Sequence, residues 1–261
     1  MLGKPIIPTA ASRKRDIRIG CAGWSIPSLH APLFGDGASH LARYATRFDV
    51  VEINSSFHRS HGHKTYARWA ETVPARFRFS VKLPKAITHE LRLRKTAAPL
   101  DRFVAEVAGL GRKLGGVLVQ LPPSLAFDAR VANTFFAMLR RRFSAPLVCE
   151  PRHASWFAPE VQRLWQRYDV ARAAADPARV PVAAEMGTDG AWRYWRWHGS
   201  PRIYYSPYSD EALHTLAQSL QDCARSGHPC WCVFDNTAGG HAINDAARLQ
   251  VLLGLADRPR G

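Results

Sequence analysis

Two patterns of apolar residues alternate along this chain. Short β-like runs occur at residues 17–21, 50–54, 77–82, 117–121, 147–150, 171–175, 192–197 and 230–234. Between them, apolar positions recur every three or four residues, as at Leu41, Tyr44, Ala45 and Phe48. That spacing lines one face of a helix. Helices are predicted over residues 39–48, 64–73, 101–114, 129–142, 159–168, 210–226 and 242–255. Pro74 stops the second of these and Gly115-Gly116 the third. Repeated βα units imply a parallel sheet. Eight units in about 245 residues favour a closed (β/α)8 barrel of the TIM type over an open sheet. One unit, near residues 176–192, is short or irregular. Residues 17–261 are expected to form a single barrel domain. Residues 1–16 are expected to be a basic, flexible tail, without the apolar stretch of a secretory leader.

The strand-like runs end repeatedly in polar or special residues: Trp24, Glu52 with Asn54, Lys82, Gln120, Glu150 with Arg152, Asp176, His198, and Asp235 with Asn236. In a barrel these ends share one rim, where barrel enzymes build their sites. Charged residues at the ends of buried strands must be paired, hydrogen-bonded or functional. Two readings follow. The rim is a ligand site, or it is a plug of mutual salt bridges, such as Lys82 with Glu52 and Glu150.

Within the site reading, Glu52 and Glu150 are the candidate acid/base pair. Lys82 is the candidate phosphate ligand, base or Schiff-base amine. His89 and Arg152 are expected to bind or polarise negative charge. Asn54, Gln120 and Asn236 are expected to orient a substrate, with Trp24 and Trp156 as walls. Asp176, His198, Tyr204 and Asp235 complete the expected binding set. Gly239 and Gly240 join the last strand to the last helix, where exposed amides favour anions; a tight turn is the alternative. On a barrel strand the aromatics of one face mostly pack against helices, so core packing is the favoured reading for Trp192 to Trp197. The His58, His61 and His63 cluster lacks ligand spacing in step with carboxylates, so no metal ligands are assigned and a divalent ion is not favoured.

Charge adds a second possibility. The net charge is +15, carried by 7 Lys and 29 Arg. A basic surface raises the prospect of a nucleic-acid partner, although Arg-rich composition also arises without selection for phosphate. Five cysteines form no CxxC pair, which fits a reducing, cytoplasmic compartment. No apolar run is long enough to span a bilayer, so no membrane partner is expected. There is no GxGxxG, no GxxxxGK[ST] and no GxSxG. No dinucleotide cofactor is therefore expected, and P-loop and α/β-hydrolase chemistry are disfavoured.

Several blocks, in order, carry a family resemblance: Ile19-Gly20-Cys21-Ala22-Gly23-Trp24, Val51-Glu52-Ile53-Asn54-Ser55-Ser56-Phe57, Phe79-Ser80-Val81-Lys82 with Ile87-Thr88-His89, and Leu118-Val119-Gln120-Leu121-Pro122-Pro123. They continue in Glu150-Pro151-Arg152-His153 with Ser155-Trp156, Trp197-His198-Gly199, and Phe234-Asp235-Asn236-Thr237 with Gly240. The chain resembles the YecE-like family, domain of unknown function 72, over nearly its whole length after the basic tail. The resemblance implies a TIM-type barrel and supplies no reaction. Two positions depart from the family pattern. His58 stands where Tyr is usual, and Asp235 where Asn is usual, which adds a rim carboxylate.

The expected function is an enzyme acting at the C-terminal rim on a small polar or phosphorylated, sugar- or nucleotide-like substrate, by hydrolysis or isomerisation. The alternatives are a nucleic-acid-binding or -processing protein and a non-catalytic ligand sensor.

Overall fold

The computed structural model describes residues 17–190 and 192–256. The tail expected over residues 1–16 lies outside the described residues. Nine strands run in parallel: β1 (Ile17–Ala22), β2 (Val50–Ile53), β3 (Arg78–Lys82), β4 (Leu114–Gln120), β5 (Leu147–Glu150), β6 (Val170–Arg172), β7 (Ala174–Asp176), β8 (Arg193–Trp197) and β9 (Cys230–Phe234). Their order is β6-β5-β4-β3-β2-β1-β9-β8-β7. The two outer members, β6 and β7, are adjacent in sequence and separated only by Ala173. The sheet therefore curls into a nearly closed barrel.

The count of nine rather than eight comes from the expected sixth strand. It changes partner at Ala173, pairing with β5 before it and with β8 after it. The Ala173 amide still donates to the Cys149 carbonyl at 2.9 Å, so the chain stays tied across the break.

Seven helices surround the barrel among the described residues: α1 (His40–Tyr44), α2 (His63–Thr72), α3 (Ala97–Val107), α4 (Ala129–Arg142), α5 (Pro159–Tyr168), α6 (Asp210–Arg225) and α7 (His241–Leu252). Asp128 caps α4 by accepting from the Arg130 and Val131 amides, and Ser209 caps α6 through the Ala212 amide. The helix expected over residues 101–114 begins earlier and stops at Val107. A 3-10 segment, Ala108–Lys113, follows, with Gly111 at φ +51. That left-handed residue ends the helical run, and β4 takes in Leu114, Gly115 and Gly116 instead. Between β7 and β8 the regular structure is one 3-10 turn, Pro181–Ala183, as the irregular unit near 176–192 leads one to expect.

Alternation along each strand divides the core in two. Ile19, Cys21, Val51, Ile53, Phe79, Val81, Val117, Val119, Leu147, Cys149, Cys232 and Phe234 face outward and pack with the helices. Ala22, Val50, Leu118, Val148, Ala171, Ala173, Trp192, Tyr194, Trp231 and Val233 fill the barrel interior as a separate cluster. The run is core: Trp195 and Trp197 face the helices, while Trp192 and Tyr194 lie inside the barrel. Their rings meet edge to face at 4.7 Å, and Trp192 meets Trp231 at 4.9 Å. The glycines of β4 make room for them. A methyl group on Gly116 would overlap the Trp192 ring, and one on Gly115 the Trp231 ring. All five cysteines are free thiols. Among the described residues, no helix is long and apolar enough to cross a membrane.

Candidate functional site at the barrel mouth

Above the apolar layer the interior becomes polar, and its centre is Arg196. This side chain is fully buried. Its Nε and Nη2 grip Glu52 at 2.9 and 2.6 Å, its Nη1 meets Glu150 Oε2 at 2.5 Å, and Nη2 also reaches Asp235 Oδ2 at 3.1 Å. Glu52 accepts a further bond from the Tyr194 hydroxyl at 3.0 Å, which lies 2.8 Å from Ser80 Oγ. One guanidinium thus ties β2, β5 and β9 to β8. Its planar fork of five donors suits several carboxylates at once.

A salt-bridge plug does exist, then, but its cation is Arg196 and not Lys82. Strand parity could have found it. Trp192, Tyr194, Arg196 and His198 are alternate residues, so Arg196 shares the inward face with its neighbours. Tyr194 and Ser80 were missed in the same way.

Two more cations reach Glu150 and Asp235. Arg152 Nε donates to Glu150 Oε1 at 2.6 Å. His198 Nδ1 lies 3.0 Å from Asp235 Oδ2, while its Nε2 stands 3.5 Å from Glu150 Oε1. At that separation Nε2 makes no good hydrogen bond, and it has no other partner.

Lys82 ends β3 beside this cluster and is 6% exposed. Among the described residues its ammonium forms no ion pair or hydrogen bond; Nζ sits 4.0 Å from the centroid of the Phe57 ring. The Ser56 hydroxyl donates to the Lys82 carbonyl at 2.7 Å and fixes the strand end. Phe57 also meets the His89 ring at 4.9 Å. His89 lies in a π-helical turn, Ala86–Glu90, with Nδ1 2.8 Å from Thr88 Oγ1. Such turns recur at functional sites.

These positions set the charges. Burial opposes ionisation of Glu150, but Arg152, Arg196 and His198 outweigh it and hold the carboxyl well below its usual range. Burial likewise opposes the Asp235 charge, and Arg196 and His198 reverse that. For His198, burial disfavours the cation, yet Glu150 and Asp235 raise its pKa above the ordinary value. Arg196 is held more firmly protonated, chiefly by Glu52 and Glu150 against burial. Lys82 is different. Burial and the nearby Arg196 push it down to about 8, against the pull of Glu52, Asp235 and Glu150. His89 is pushed down to about 4 by burial, Lys82 and Arg152, so it is neutral near pH 7.

The other expected residues divide. Asn54 reaches Asp235 Oδ1 through Nδ2 at 3.4 Å, and its own Oδ1 has no partner. Trp24 packs edge-on against Trp69 at 4.9 Å and walls a cleft with Asn54, His40 and Arg59. Gln120 sits beside Glu150 in the β4–β5 register. Tyr204 is a partly exposed residue at φ +71, with its ring edge 5.9 Å from His198. A non-glycine residue in that region is strained by about 1–2 kcal/mol, and such strain clusters at functional sites.

Five expected residues lie elsewhere. Trp156 is buried beneath the helices, stacked on Trp165 at 5.7 Å, with its indole donating to the Leu125 carbonyl. It is core, and does not wall the mouth. Asp176 binds the Tyr208 hydroxyl at 2.8 Å. Asn236 donates to the Ser206 carbonyl and to Asp245 Oδ2, anchoring the loop before α6. The Gly239 and Gly240 amides donate to the Tyr204 and Thr237 carbonyls, as in a tight turn, and neither is free for an anion. In the histidine cluster, His61 is buried against Tyr66 and Trp69 while His58 and His63 are exposed. Among the described residues, no three His, Cys, Asp or Glu side chains are arranged to hold a metal ion.

Residues 18–260 match the sequence model of a family described as protein of unknown function DUF72. The UPF0759 protein YunF of Bacillus subtilis is 23% identical over 279 residues, covering 93% of this chain and 98% of YunF. The UPF0759 protein YecE of Escherichia coli K12 is 30% identical over 106 residues, 41% of this chain and 38% of YecE. The structure is similar to that of a DUF72 family protein from Enterococcus faecalis, with a TM-score of 0.74 at 20% identity, covering 93% of this chain and 97% of the other. A DUF72 family protein from Thermotoga maritima gives 0.75 at 20% identity over 91% and 99%. These likenesses show a shared fold.

Proposed function

The chain belongs to the DUF72 family, and from that premise we propose that it is an enzyme acting on a small, polar, anionic substrate at the C-terminal mouth of its barrel. The substrate class is phosphorylated or carboxylated, with a sugar- or nucleotide-like body. One observation carries this reading: the inner carboxylates are each paired with Arg196, Arg152 or His198, whereas the Lys82 ammonium has no carboxylate within ion-pair distance among the described residues. A buried cation without a partner is costly, and an anionic ligand would remove that cost.

In this reading Lys82 and Arg152 hold the anion. Neutral His89 offers a hydrogen bond, and Asn54 offers its unpartnered oxygen. Glu150 and His198, 3.5 Å apart, are the candidate acid/base pair beside the anion. Glu52, sealed under Arg196 and Tyr194, acts by positioning Arg196. Tyr204 and Trp24 border the opening. The five free thiols suit a reducing compartment such as the cytoplasm.

The test is thermal denaturation with inorganic phosphate, phosphorylated sugars and nucleotides, each against its neutral counterpart. A ligand at 100 times its Kd stabilises by about 2.7 kcal/mol, enough to raise the Tm by a few degrees. The shift should vanish in Lys82→Ala and in Arg152→Ala. An unchanged shift in both variants overturns the assignment.

The net charge of +15 favours a second reading, a nucleic-acid-binding or -processing protein. Arg92 and Arg94 are exposed near the mouth, although they also bind Ser124 and Asp128. This reading requires affinity for short DNA or RNA that falls steeply with salt. Affinity that stays flat from low to moderate salt excludes phosphate-backbone binding.

A further inference from the structure

We propose that Lys82 is a covalent nucleophile, which forms an iminium with the carbonyl carbon of an anionic aldehyde or ketone bound at the mouth. The inference rests on the anion-site reading and narrows its substrate class.

The argument starts from what surrounds the amine. A lysine that serves only as a charge is ordinarily hydrated or paired with a carboxylate. Lys82 is neither. Its side chain is nearly buried, its ammonium faces an aromatic ring, and the like charge of nearby Arg196 disfavours protonation. Every carboxylate that would pair with it is already committed: Glu52 to Arg196 and Tyr194, Glu150 to Arg196 and Arg152, Asp235 to Arg196 and His198. Desolvation and a neighbouring cation are the two devices that activate a lysine as a nucleophile. With a pKa of about 8, roughly a fifth of the amine is unprotonated at pH 7.4, against about 0.1% for an ordinary lysine. Arg152 and neutral His89 stand near enough to influence one another electrostatically, on the side where a substrate's anionic group would rest.

The step balances without any other reagent. The ammonium gives a proton to water, and the freed nitrogen pair attacks the carbonyl carbon. A C–N bond forms as the carbonyl π pair moves to oxygen. That oxygen collects two protons, one from the attacking nitrogen and one from solvent, and departs as water. The iminium keeps the single positive charge that the ammonium had, so the surrounding charge pattern is preserved. An iminium then withdraws electrons from the adjacent carbon and makes its protons more acidic.

The experiment uses the full chain with glyoxylate and with glyceraldehyde 3-phosphate in the presence of cyanoborohydride, which reduces iminiums. The seven lysines, at positions 4, 14, 64, 82, 85, 95 and 113, are separated by peptide mapping. The expected result is labelling of Lys82 at least tenfold faster than of exposed Lys85, slowed by inorganic phosphate. Lys82→Arg should lose this label yet keep the thermal shift with phosphate. If Lys82 labels no faster than Lys85 while phosphate still stabilises the protein, the nucleophile falls and the anion site stands. If phosphate neither stabilises nor protects, both fall.

Discussion

Arg196 and Glu52 form a two-point ion pair at the centre of the barrel, Nε to Oε2 at 2.9 Å and Nη2 to Oε1 at 2.6 Å, with neither side chain reached by solvent. Both arrive on inward positions of their strands, and Arg196 goes on to hold Glu150 and Asp235. Removing the guanidinium leaves buried Glu52 with no cation and takes one cation each from Glu150, which keeps Arg152, and Asp235, which keeps His198. Arg196→Met should therefore cost about 3–5 kcal/mol of stability, read by urea denaturation. A loss below about 1 kcal/mol would show that the carboxylates protonate or rehydrate freely.

Lys82 should behave in the opposite way. Its folded pKa of about 8 lies below the ordinary 10.5, so the protonated form is disfavoured by folding. The penalty is complete below pH 8 and fades as pH rises towards 10.5. Lys82→Met should stabilise the protein at pH 7 by about 2–3 kcal/mol. The gain should shrink steadily above pH 8. A destabilising Lys82→Met substitution would show that the ammonium has a strong partner after all.

The acidic and basic members of the cluster define a pH window. Glu150 and Asp235 have depressed folded pKa values, so their contribution is present above their ordinary 4.5 and 3.8 and is lost as pH falls below them. His198 has a raised folded value, so its contribution is full below 6.5 and is lost as pH rises through the folded pKa. The cluster thus stabilises most between about pH 4.5 and 6.5. Stability profiles of the wild type and His198→Gln should separate below pH 6.5 and converge as pH rises through the raised folded pKa of His198. Parallel profiles across the range would remove the charged His198.

Much of this architecture is legible in the sequence, because a βα repeat writes itself as alternating periods. The strand ends collected nearly all of the rim. What escaped did so for physical reasons. Arg196 sits between two tryptophans in a run that reads as aromatic packing; only strict parity shows it facing inward. Trp156 follows Arg152 closely in sequence, yet a 3-10 turn (Ala154–Phe157) directs it beneath the helices. The amides of Gly239 and Gly240 are spent on carbonyls of the Tyr204 and Thr237 segments, and the Tyr204 partner lies more than thirty residues away, a pairing no local motif encodes. The break at Ala173 depends on which strand each half finds.

The glycines of β4 offer a direct test of the packing beneath the site. Gly116→Ala places a methyl group against the Trp192 ring and near the Pro146 carbonyl. It should destabilise by about 1–3 kcal/mol. Trp192→Leu in the same chain should recover part of that loss, as measured by a double-mutant cycle. Simple additivity would mean the two side chains do not touch.

That floor of indoles has a kinetic meaning. With Trp192 and Trp231 filling the barrel below the charged layer, the described residues close the interior from beneath. In the reaction we propose, a molecule bound against Lys82 and Arg152 therefore leaves by the mouth through which it arrived. Reactant and product then cannot occupy the interior together or pass through it in file. Each blocks the entry of the other, so a spent molecule lingering at the mouth slows the next turnover in strict competition with fresh substrate.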